Sequence, residues 1–347
     1  MRVDNALAGL IKQRIKASAH GMGIAEFMAL CLYHPDHGYY MKTAGIGSGL
    51  GAFNFTTAPE ISPLFGELLA FHALESLEAF APKGRFRLIE IGAGRGSLLL
   101  DMLHIFEKAG ITLESLELVE ISPVLQQIQQ ERLHMHYPHL TPRWHQDITS
   151  VPTDYPWLFI ANEVFDALPI DQFYQDGTAR NICHDGQNFH FNRDALPETI
   201  TESSAAANAL AAKLGAGLID AGGMGIIIDY GYQGGSCGDT LQALYQGRPS
   251  HPLRQLGDAD LTAQVDFDAL HSAFLAAGLA VSPLATQGDF LQKIGAGQAL
   301  QMRLAQLREN AATPNAAAAL HHGALRLIAP NEMGNLFKIL EINAPPP

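Results

Sequence analysis

The sequence has little cysteine, no long apolar run and few basic residues, and each shortage excludes a class of protein. Its 347 residues include three cysteines, Cys31, Cys183 and Cys237, and no Cys-x-x-Cys pair. Three separated cysteines provide neither a disulfide framework nor a zinc site, and they fit a reducing compartment. No apolar segment approaches the ~18 residues that a membrane span requires. We therefore expect no metal site and no membrane span.

The charge balance is acidic. The chain has 22 Lys and Arg residues against 35 Asp and Glu residues, a formal net charge of −13. Binding to a nucleic-acid backbone requires a basic surface, so we expect no nucleic-acid partner, whereas a basic peptide would be attracted. With 47% hydrophobic residues, the chain can bury one large α/β core and an additional lobe.

A glycine-rich stretch is the most informative feature that is present. Residues 87–91 predict a short buried strand, and helical periodicity resumes at Leu98. Three glycines at alternate positions, Gly92, Gly94 and Gly96, would form the turn between them. Glycine tolerates positive φ and lets a ligand approach the backbone amides at the start of a helix, so the turn predicts a nucleotide-like cofactor.

The spacing of the glycines indicates which cofactor this is. The dinucleotide fingerprint G-x-G-x-x-G would place its third glycine at position 97, which is Ser97. Three glycines two apart, preceded by Glu90, are instead typical of S-adenosylmethionine (SAM) methyltransferases, which hold no pyrophosphate and need an acid near the cationic end of the cofactor. An NAD site and an ordinary glycine-rich turn remain the alternatives at this point.

Acidic residues also follow the next two predicted strands. Glu120 ends the strand at 116–120, where a carboxylate can accept both ribose hydroxyls of either cofactor. Asp147 and Ile148 follow a third strand near 144–146. We expect Asp147 to face an adenine amino group, with a solvated turn acid as the alternative.

The fourth predicted strand ends in polar side chains. It covers residues 157–161 and continues into Asn162, Glu163 and, three residues later, Asp166. Ligands of open α/β sheets collect at the carboxyl ends of the strands, so these side chains should lie beside the transferable methyl group, with Asn162 also contacting the cofactor. A helix cap is the alternative role for Asp166.

The order of these elements predicts an α/β protein with four segments. They are an N-terminal helical segment with a substrate-side loop at 1–83, the first half of a SAM-binding core at 84–170, an inserted α+β lobe at 171–222, and the second half of the core at 223–347 with a loop insertion at 231–264. In the inserted lobe, we expect residues 172–174 to pair with 189–191 as a hairpin, followed by a helix near 204–216.

Further motifs extend along nearly the whole chain. They are residues 31–40 (CLYHPDHGYY), 57–67 (TAPEISPLFGE), 229–231 (DYG), 238–241 (GDTL), 260–267 (DLTAQVDF) and 333–338 (MGNLFK). Together with the glycine turn and the strand ends, they resemble the MidA-like SAM-dependent methyltransferases, a family related to the mitochondrial assembly-factor methyltransferase of respiratory complex I. The resemblance implies a class I, seven-stranded, Rossmann-like core and SAM as the cofactor.

The resemblance also implies a reaction, which for the mitochondrial members is symmetric dimethylation of an arginine in a NADH:ubiquinone oxidoreductase subunit. A guanidinium must lose a proton during methylation, so the site needs carboxylates. We expect Glu163 and Asp166 to supply them, with Asn162 orienting the acceptor and Glu60 as a further substrate acid. A SAM-binding assembly scaffold and a small-molecule methyltransferase are the alternatives.

Two further expectations concern the N-terminal segment. Asn54 stands where the family has an aspartate, which predicts weaker binding of a cationic substrate or another acceptor. The first residues include Asp4 and lack the Arg- and Ser-rich character of a mitochondrial presequence, so we expect a bacterial cytoplasmic protein rather than one of the mitochondrial matrix.

Overall fold

The computed structural model of the chain describes residues 6–42, 57–235, 237–309 and 314–345. Its α-helices are α1 (Ala6–Ala17), α2 (Ile24–Tyr33), α3 (Tyr39–Lys42), α4 (Ala58–Ile61), α5 (Leu64–Glu75), α6 (Leu77–Phe80), α7 (Ser97–Lys108), α8 (Pro123–His136), α9 (Ala205–Ala221), α10 (Phe267–Ala276), α11 (Gln287–Lys293), α12 (Ala296–Glu309), α13 (Pro314–Ile328) and α14 (Met333–Leu336). None of these helices is long and apolar enough to cross a membrane.

Seventeen β-strands accompany these helices among the described residues. They are β1 (Met22–Gly23), β2 (Arg87–Ile91), β3 (Ser115–Val119), β4 (Arg143–His145), β5 (Trp157–Asn162), β6 (Asp171–Phe173), β7 (Asn181–His184), β8 (Phe189–Phe191), β9 (Thr201–Ser203), β10 (Gly223–Tyr232), β11 (Gln242–Tyr245), β12 (Arg248–Ser250), β13 (Asp260–Thr262), β14 (Val265–Asp266), β15 (Ala280–Val281), β16 (Ala285–Thr286) and β17 (Phe337–Asn343).

The central sheet confirms the predicted seven-stranded, Rossmann-like core. Its strand order is β15-β17-β10-β5-β2-β3-β4, and the short strands β14 and β16 pair beside β10 and β17. The strands from β10 to β4 are parallel, whereas β17 runs antiparallel to β10. The chain proceeds from β2 to β3 on one side and later enters β5 on the other. The carboxyl ends of β2 and β5 therefore meet at a topological switch point, where open α/β sheets bind ligands.

Side chains of alternate residues divide the core between the two faces of the sheet. Leu158 and Ile160 of β5 belong to the apolar cluster that contains residues of α5 and α7. Phe159 and Ala161 belong to the cluster that contains residues of α9 and α10. Because helices cover both faces, β5 is apolar up to its last residue, Asn162, as expected for a parallel strand.

A second apolar core lies beside the sheet and joins three segments that are distant in the sequence. Ile11 of α1 and Phe27 of α2 pack with Ile182 of β7 and Leu261 of β13, and none of the four is more than 1% exposed. β1 pairs with β7, so that Met22 lies opposite Ile182. The N-terminal helices, the inserted lobe and the segment after β10 thus share one interior, which we call the outer core.

The predicted hairpin in the inserted lobe is wrong. β6 pairs with β9, not with residues 189–191, and β8 pairs instead with β7. The reason is a tight turn between β7 and β8, in which Oδ1 of Asp185 accepts hydrogen bonds from the backbone N–H groups of Gln187 and Asn188. Asp side chains stabilise such turns, and the local hairpin outcompetes the more distant pairing.

The prediction of a loop at 231–264 is also wrong. This segment contains an antiparallel sheet in the order β12-β11-β13. A two-residue turn connects β11 to β12, and both of its residues, Gln246 and Gly247, have positive φ of 52° and 70°. Positive φ at both positions is the geometry of a type I′ hairpin, whose usual Asn-Gly signal is absent here.

A substitution at Gly217 tests the packing of α9 against the sheet. A Cβ at Gly217 would lie 2.1 Å from ring carbons of Trp157 in β5. We expect Gly217→Ala to lower the free energy of unfolding by about 1–3 kcal/mol, because the indole must shift in a packed interior. Gly9→Ala, in α1 where a Cβ would meet no described atom within 4 Å, should raise it by up to ~1 kcal/mol. Urea unfolding measures both, and equal stability of the two variants would contradict this packing.

Candidate active site

The predicted turn joins β2 to α7, and its three glycines have the backbone conformation that glycine favours. Gly92, Gly94 and Gly96 have φ of 62°, 52° and 77°. A Cβ at Gly92 would also lie 2.9 Å from a methyl carbon of Val164, which follows β5. Glycine is therefore required at this turn both for its positive φ and for the close approach of the neighbouring strand.

A cavity of about 740 Å³ opens above this turn, at the carboxyl ends of the parallel strands. All but one of the predicted site residues line it, the exception being Gly96. The lining set is Glu60, Glu90, Gly92, Gly94, Glu120, Asp147, Ile148, Asn162, Glu163 and Asp166. Asn54 lies outside the described residues. The fold thus brings side chains from four strand ends and from α4 to one cavity.

Two buried oxygen atoms in the cavity wall lack hydrogen-bond partners among the described residues. They are Oε2 of Glu90, at the end of β2, and Oδ1 of Asn162, at the end of β5. Glu90 is 4% exposed, and burial together with the nearby Glu120 raises its pKa to about 8. Buried acceptors without donors are costly, so both atoms indicate a ligand that carries hydrogen-bond donors or positive charge.

Glu120, after β3, is held by two donors. Its Oε1 accepts a hydrogen bond from the backbone N–H of Ser122 at 2.9 Å, and its Oε2 accepts one from Nε2 of Gln129 at 3.1 Å. The same Nε2 donates to the carbonyl of Gly94 at 2.8 Å, while Oε1 of Gln129 accepts from the indole N–H of Trp144. Gln129, fully buried on α8, therefore ties Glu120 to the glycine turn and to β4.

Asp147 lines the cavity, but its carboxylate is already engaged. Oδ1 accepts hydrogen bonds from the backbone and hydroxyl of Thr149, and Oδ2 pairs with Nζ of Lys213 on α9 at 2.5 Å. The Lys213 contact is the main reason that the pKa of Asp147 is lowered to about 2. These contacts suit the alternative role of a turn acid, and contact with adenine stays a prediction. Ile148, the next residue, is buried and forms part of the apolar wall of the cavity.

The turn after β5 is held by Asp229. This residue lies in β10, the strand that pairs with β5 in the sheet. Oδ2 of Asp229 accepts hydrogen bonds from three successive backbone N–H groups, those of Val164, Phe165 and Asp166, at 2.9–3.2 Å. Oδ1 accepts from the N–H of Tyr230. Asp229 is fully buried and fixes the path of the chain that carries the predicted catalytic residues.

Glu163 and Asp166 are brought together within this turn. Glu163 has a φ of 54°, and its Oε1 accepts hydrogen bonds from the N–H of Ala58 and from Nδ2 of Asn162, both at 3.3 Å. Burial raises the pKa of Glu163 to about 7. Burial and then the charge of Asp229 raise the pKa of Asp166 well above its usual range.

Glu60 lies on the side of the cavity near the glycine turn. Its Oε1 accepts a hydrogen bond from the hydroxyl of Ser97 at 2.5 Å, at the start of α7. Arg132 donates to the same hydroxyl and to the carbonyl of Arg95. Glu60 therefore contributes to the wall, and its predicted role as a substrate acid is not tested by these contacts.

The structure adds residues that the sequence reasoning did not assign to the site. Asp229, Gln129 and Asp260 have buried side chains that hold or line the cavity, and Tyr33 and Tyr40 contribute aromatic wall. Asp229 and Asp260 lie in motifs that carried the family resemblance, which was the available signal for them. Gln129 had no sequence signal, since it is one of four glutamines in the α8 segment.

Comparison with known proteins decides what this cavity binds. A family model described as S-adenosyl-L-methionine-dependent methyltransferase matches residues 68–284, more than half of the chain. The chain belongs to this family. The methyltransferase resembles mitochondrial protein arginine methyltransferase NDUFAF7 of Danio rerio, with 32% identity over 362 residues that cover 92% of this chain and 83% of the relative. The human protein of that name is 28% identical, covering 92% and 79%.

Solved structures support the same assignment. A Burkholderia thailandensis protein crystallised with S-adenosyl-homocysteine matches with a TM-score of 0.80 and 26% identity, covering 97% of this chain and 92% of that one. The MidA-like resemblance and SAM as the cofactor are thereby confirmed. The lining fits SAM, a cation that carries hydrogen-bond donors, because Glu90 and Asn162 each leave a buried oxygen without a partner among the described residues. Which parts of SAM these two residues and Glu120 contact stays a prediction.

The position of Gln129 yields a test of the cofactor site. Gln129→Leu removes the donor to both Glu120 and Gly94, so we expect it to weaken S-adenosylhomocysteine binding by about tenfold, the equivalent of a lost hydrogen bond to a charged group. Gln127→Leu, at an exposed position of the same helix, is the matched control and should bind as the parent does. Isothermal titration calorimetry measures both, and unchanged affinity of Gln129→Leu would contradict the role.

Proposed function

We propose that the methyltransferase transfers methyl groups to arginine side chains of a protein acceptor. The observation that carries this proposal is a set of three carboxylates that line the cavity, those of Asp166 and Asp260, which are buried, and that of Glu163, which is half-buried. No ion pair among the described residues gives any of them a cation. Residues 43–56 contain no Lys, Arg or His either.

Buried carboxylates without a cation are costly, and they become favourable when a positively charged ligand enters. A guanidinium fits best, because its planar fork of N–H groups matches carboxylate oxygens in pairs. The relatives are protein arginine methyltransferases by name, which supports a protein acceptor. The pKa of Glu163 at about 7 keeps this acid able to lose and regain a proton under cellular conditions.

The residues of the chain divide the work of the reaction. SAM, when bound, supplies a methyl group activated by its sulfonium. A guanidinium, whose pKa lies far above 7, must lose a proton during methylation, at a cost of roughly 9 kcal/mol near pH 7. We assign Glu163 to accept that proton and Asp166 to bind the guanidinium, with Asn162 orienting the acceptor. Asp229 acts through the backbone, since it holds the turn that carries both acids.

The remaining parts of the function are predictions of the same proposal. We infer that the acceptor is a subunit of NADH:ubiquinone oxidoreductase or a similar protein, and that the product is symmetrically dimethylated. The predicted place of action is the bacterial cytoplasm, while the relatives are named as mitochondrial proteins.

Labelling of a cell lysate tests the reaction. The purified methyltransferase is incubated with methyl-labelled SAM and a lysate from cells that lack the gene, and mass spectrometry then identifies the labelled residue. We expect one labelled protein with label on arginine, and Glu163→Gln and Asp166→Asn should each slow labelling by at least about 100-fold, because each removes a group that binds the acceptor or its proton. S-adenosylhomocysteine binding should remain.

Glu131→Gln, an exposed position on α8, serves as the control for the chemical change and should label as the parent does. Full turnover by both active-site variants would refute the role assignment. A parent enzyme that labels no protein, but binds SAM, would favour the assembly scaffold or the small-molecule methyltransferase instead.

The buried acid also predicts a pH-dependent stability. Burial raises the pKa of Glu163 to about 7, so the folded state holds a proton that the unfolded state releases above its usual pKa. The stability from this residue is therefore present at low pH and is lost as the pH rises through about 7. Glu163→Gln cannot ionise, and we expect it to exceed the parent in free energy of unfolding by about 1–3 kcal/mol near pH 8.

Urea unfolding at several pH values measures this difference. It should shrink as the pH falls from about 7 toward the usual pKa of about 4.5, because the unfolded parent then also holds the proton that the folded parent keeps. A difference that does not change with pH would show that the substitution acts through packing rather than through charge.

A further inference from the structure

Asp260 is a buried carboxylate that comes from outside the methyltransferase core. It begins β13, in the small sheet of the segment after β10, and it lines the active-site cavity with 6% of its surface exposed. Among the described residues, one side-chain donor reaches it: the hydroxyl of Tyr40, on α3, donates to Oδ1 at 2.9 Å. Asp260 and Tyr40 thus form a pair in which the outer core contributes both members.

The contacts of Asp260 differ from those of the structural carboxylate that holds the turn after β5. Asp229 accepts four backbone N–H groups, which account for its burial. Asp260 has neither such a set nor an ion pair with any described residue, and burial is the largest cause that raises its pKa, to about 7. A buried acid with a single hydroxyl partner has acceptor capacity left over, which is a costly arrangement unless a ligand uses it.

The position of Asp260 is fixed relative to the other two acids. The N–H of Ala263, just after β13, donates to the backbone carbonyl of Asp166 at 2.9 Å, which ties the two segments together. The charge of Asp260 is among the causes that raise the pKa of Asp166, and that of Glu163 is among those that raise the pKa of Asp260. Three carboxylates, two from the turn after β5 and one from β13, therefore line one region of the cavity.

Aromatic side chains surround this region. Tyr33 and Tyr40 stack with ring centroids 5.8 Å apart, and both line the cavity together with Tyr230. The hydroxyl of Tyr33 donates to the carbonyl of Ala167, so its ring is held in place from the turn after β5. Aromatic faces beside carboxylates suit a flat, delocalised cation, which stacks on rings while its edges donate hydrogen bonds.

We propose that Asp260, oriented by Tyr40, binds the nitrogens of the acceptor guanidinium that are not methylated, and thereby selects a forked planar cation over an ammonium. This inference rests on the proposed arginine methylation and adds a specificity residue to it. Two carboxylates on one side hold the reacting nitrogen, and a third on the other side pairs with the remaining N–H groups. An ammonium, a compact point charge, cannot span both sides.

Asp260→Asn tests the proposal, and Asp258→Asn is its matched control. Asp258 lies two residues away, is exposed and pairs with Lys42 at the surface. Initial rates of labelling are measured with methyl-labelled SAM over a dilution series of the gene-deletion lysate. We expect Asp260→Asn to raise the half-saturating amount of lysate at least about tenfold, as for a lost hydrogen bond to a charged group, with a smaller change in the maximal rate. Asp258→Asn should match the parent.

Competition gives a second readout that a structural role would not move. Methylguanidine should inhibit the parent at lower concentration than methylammonium does, and Asp260→Asn should lose this preference. S-adenosylhomocysteine affinity should be unchanged in both variants. Equal half-saturation and equal methylguanidine inhibition in Asp260→Asn and the parent would overturn the proposal.

Two outcomes separate this inference from the proposed function. Label on arginine with an unaffected Asp260→Asn variant overturns only the role of Asp260, whereas a parent enzyme that places no label on arginine overturns both. If Asp260→Asn does not fold, Tyr40→Phe decides, since it keeps the acid and removes the hydroxyl that orients it. That variant should raise the half-saturating amount of lysate and weaken methylguanidine inhibition, and failure to do either overturns the proposal.

Discussion

The active site depends on one buried carboxylate, that of Asp229, which accepts the backbone N–H groups of three successive residues after β5. These N–H groups lie where a parallel strand ends and have no ladder partner, so a buried acceptor is needed to satisfy them. Asp229 supplies this acceptor and so fixes the turn, in which Glu163 has a positive φ. Glu163 and Asp166, three residues apart in the sequence, consequently line one cavity.

The cavity and the turn beside it contain several carboxyl groups whose burial lowers the stability of the fold. Burial raises the pKa of Glu90, Glu163, Asp229 and Asp260 to between about 7 and about 8. A fold that retains such groups without cations loses stability at neutral pH, and natural proteins show this loss mainly at functional sites. Both ligands of the proposed reaction carry positive charge, a sulfonium and a guanidinium, so each would relieve part of that cost.

The outer core explains why so many segments outside the sheet accompany a cofactor domain. The N-terminal helices, the inserted lobe and the sheet after β10 together bury Ile11, Phe27, Ile182 and Leu261 in one interior. This shared interior positions α3 and β13 beside the strand ends, where Tyr40 and Asp260 enter the cavity. The sheet therefore builds the side of the cavity beside the glycine turn, and the outer core contributes Tyr40 and Asp260 to the side that we propose for the acceptor.

The sequence by itself determined the glycine turn, the order of the core strands and the acids at their carboxyl ends, because those features depend on local spacing and on the period of a buried strand. Gly92, Glu120 and Glu163 could be placed at one cavity because parallel strands end at the same edge of a sheet. Only the tertiary structure decided the pairing of β6 with β9, the small sheet after β10 and the places of Gln129 and Asp260. Most of those features depend on contacts between residues far apart in the chain, such as those of the shared apolar core. The tight turn at Asp185 pairs β8 with β7, which leaves β6 to pair with β9.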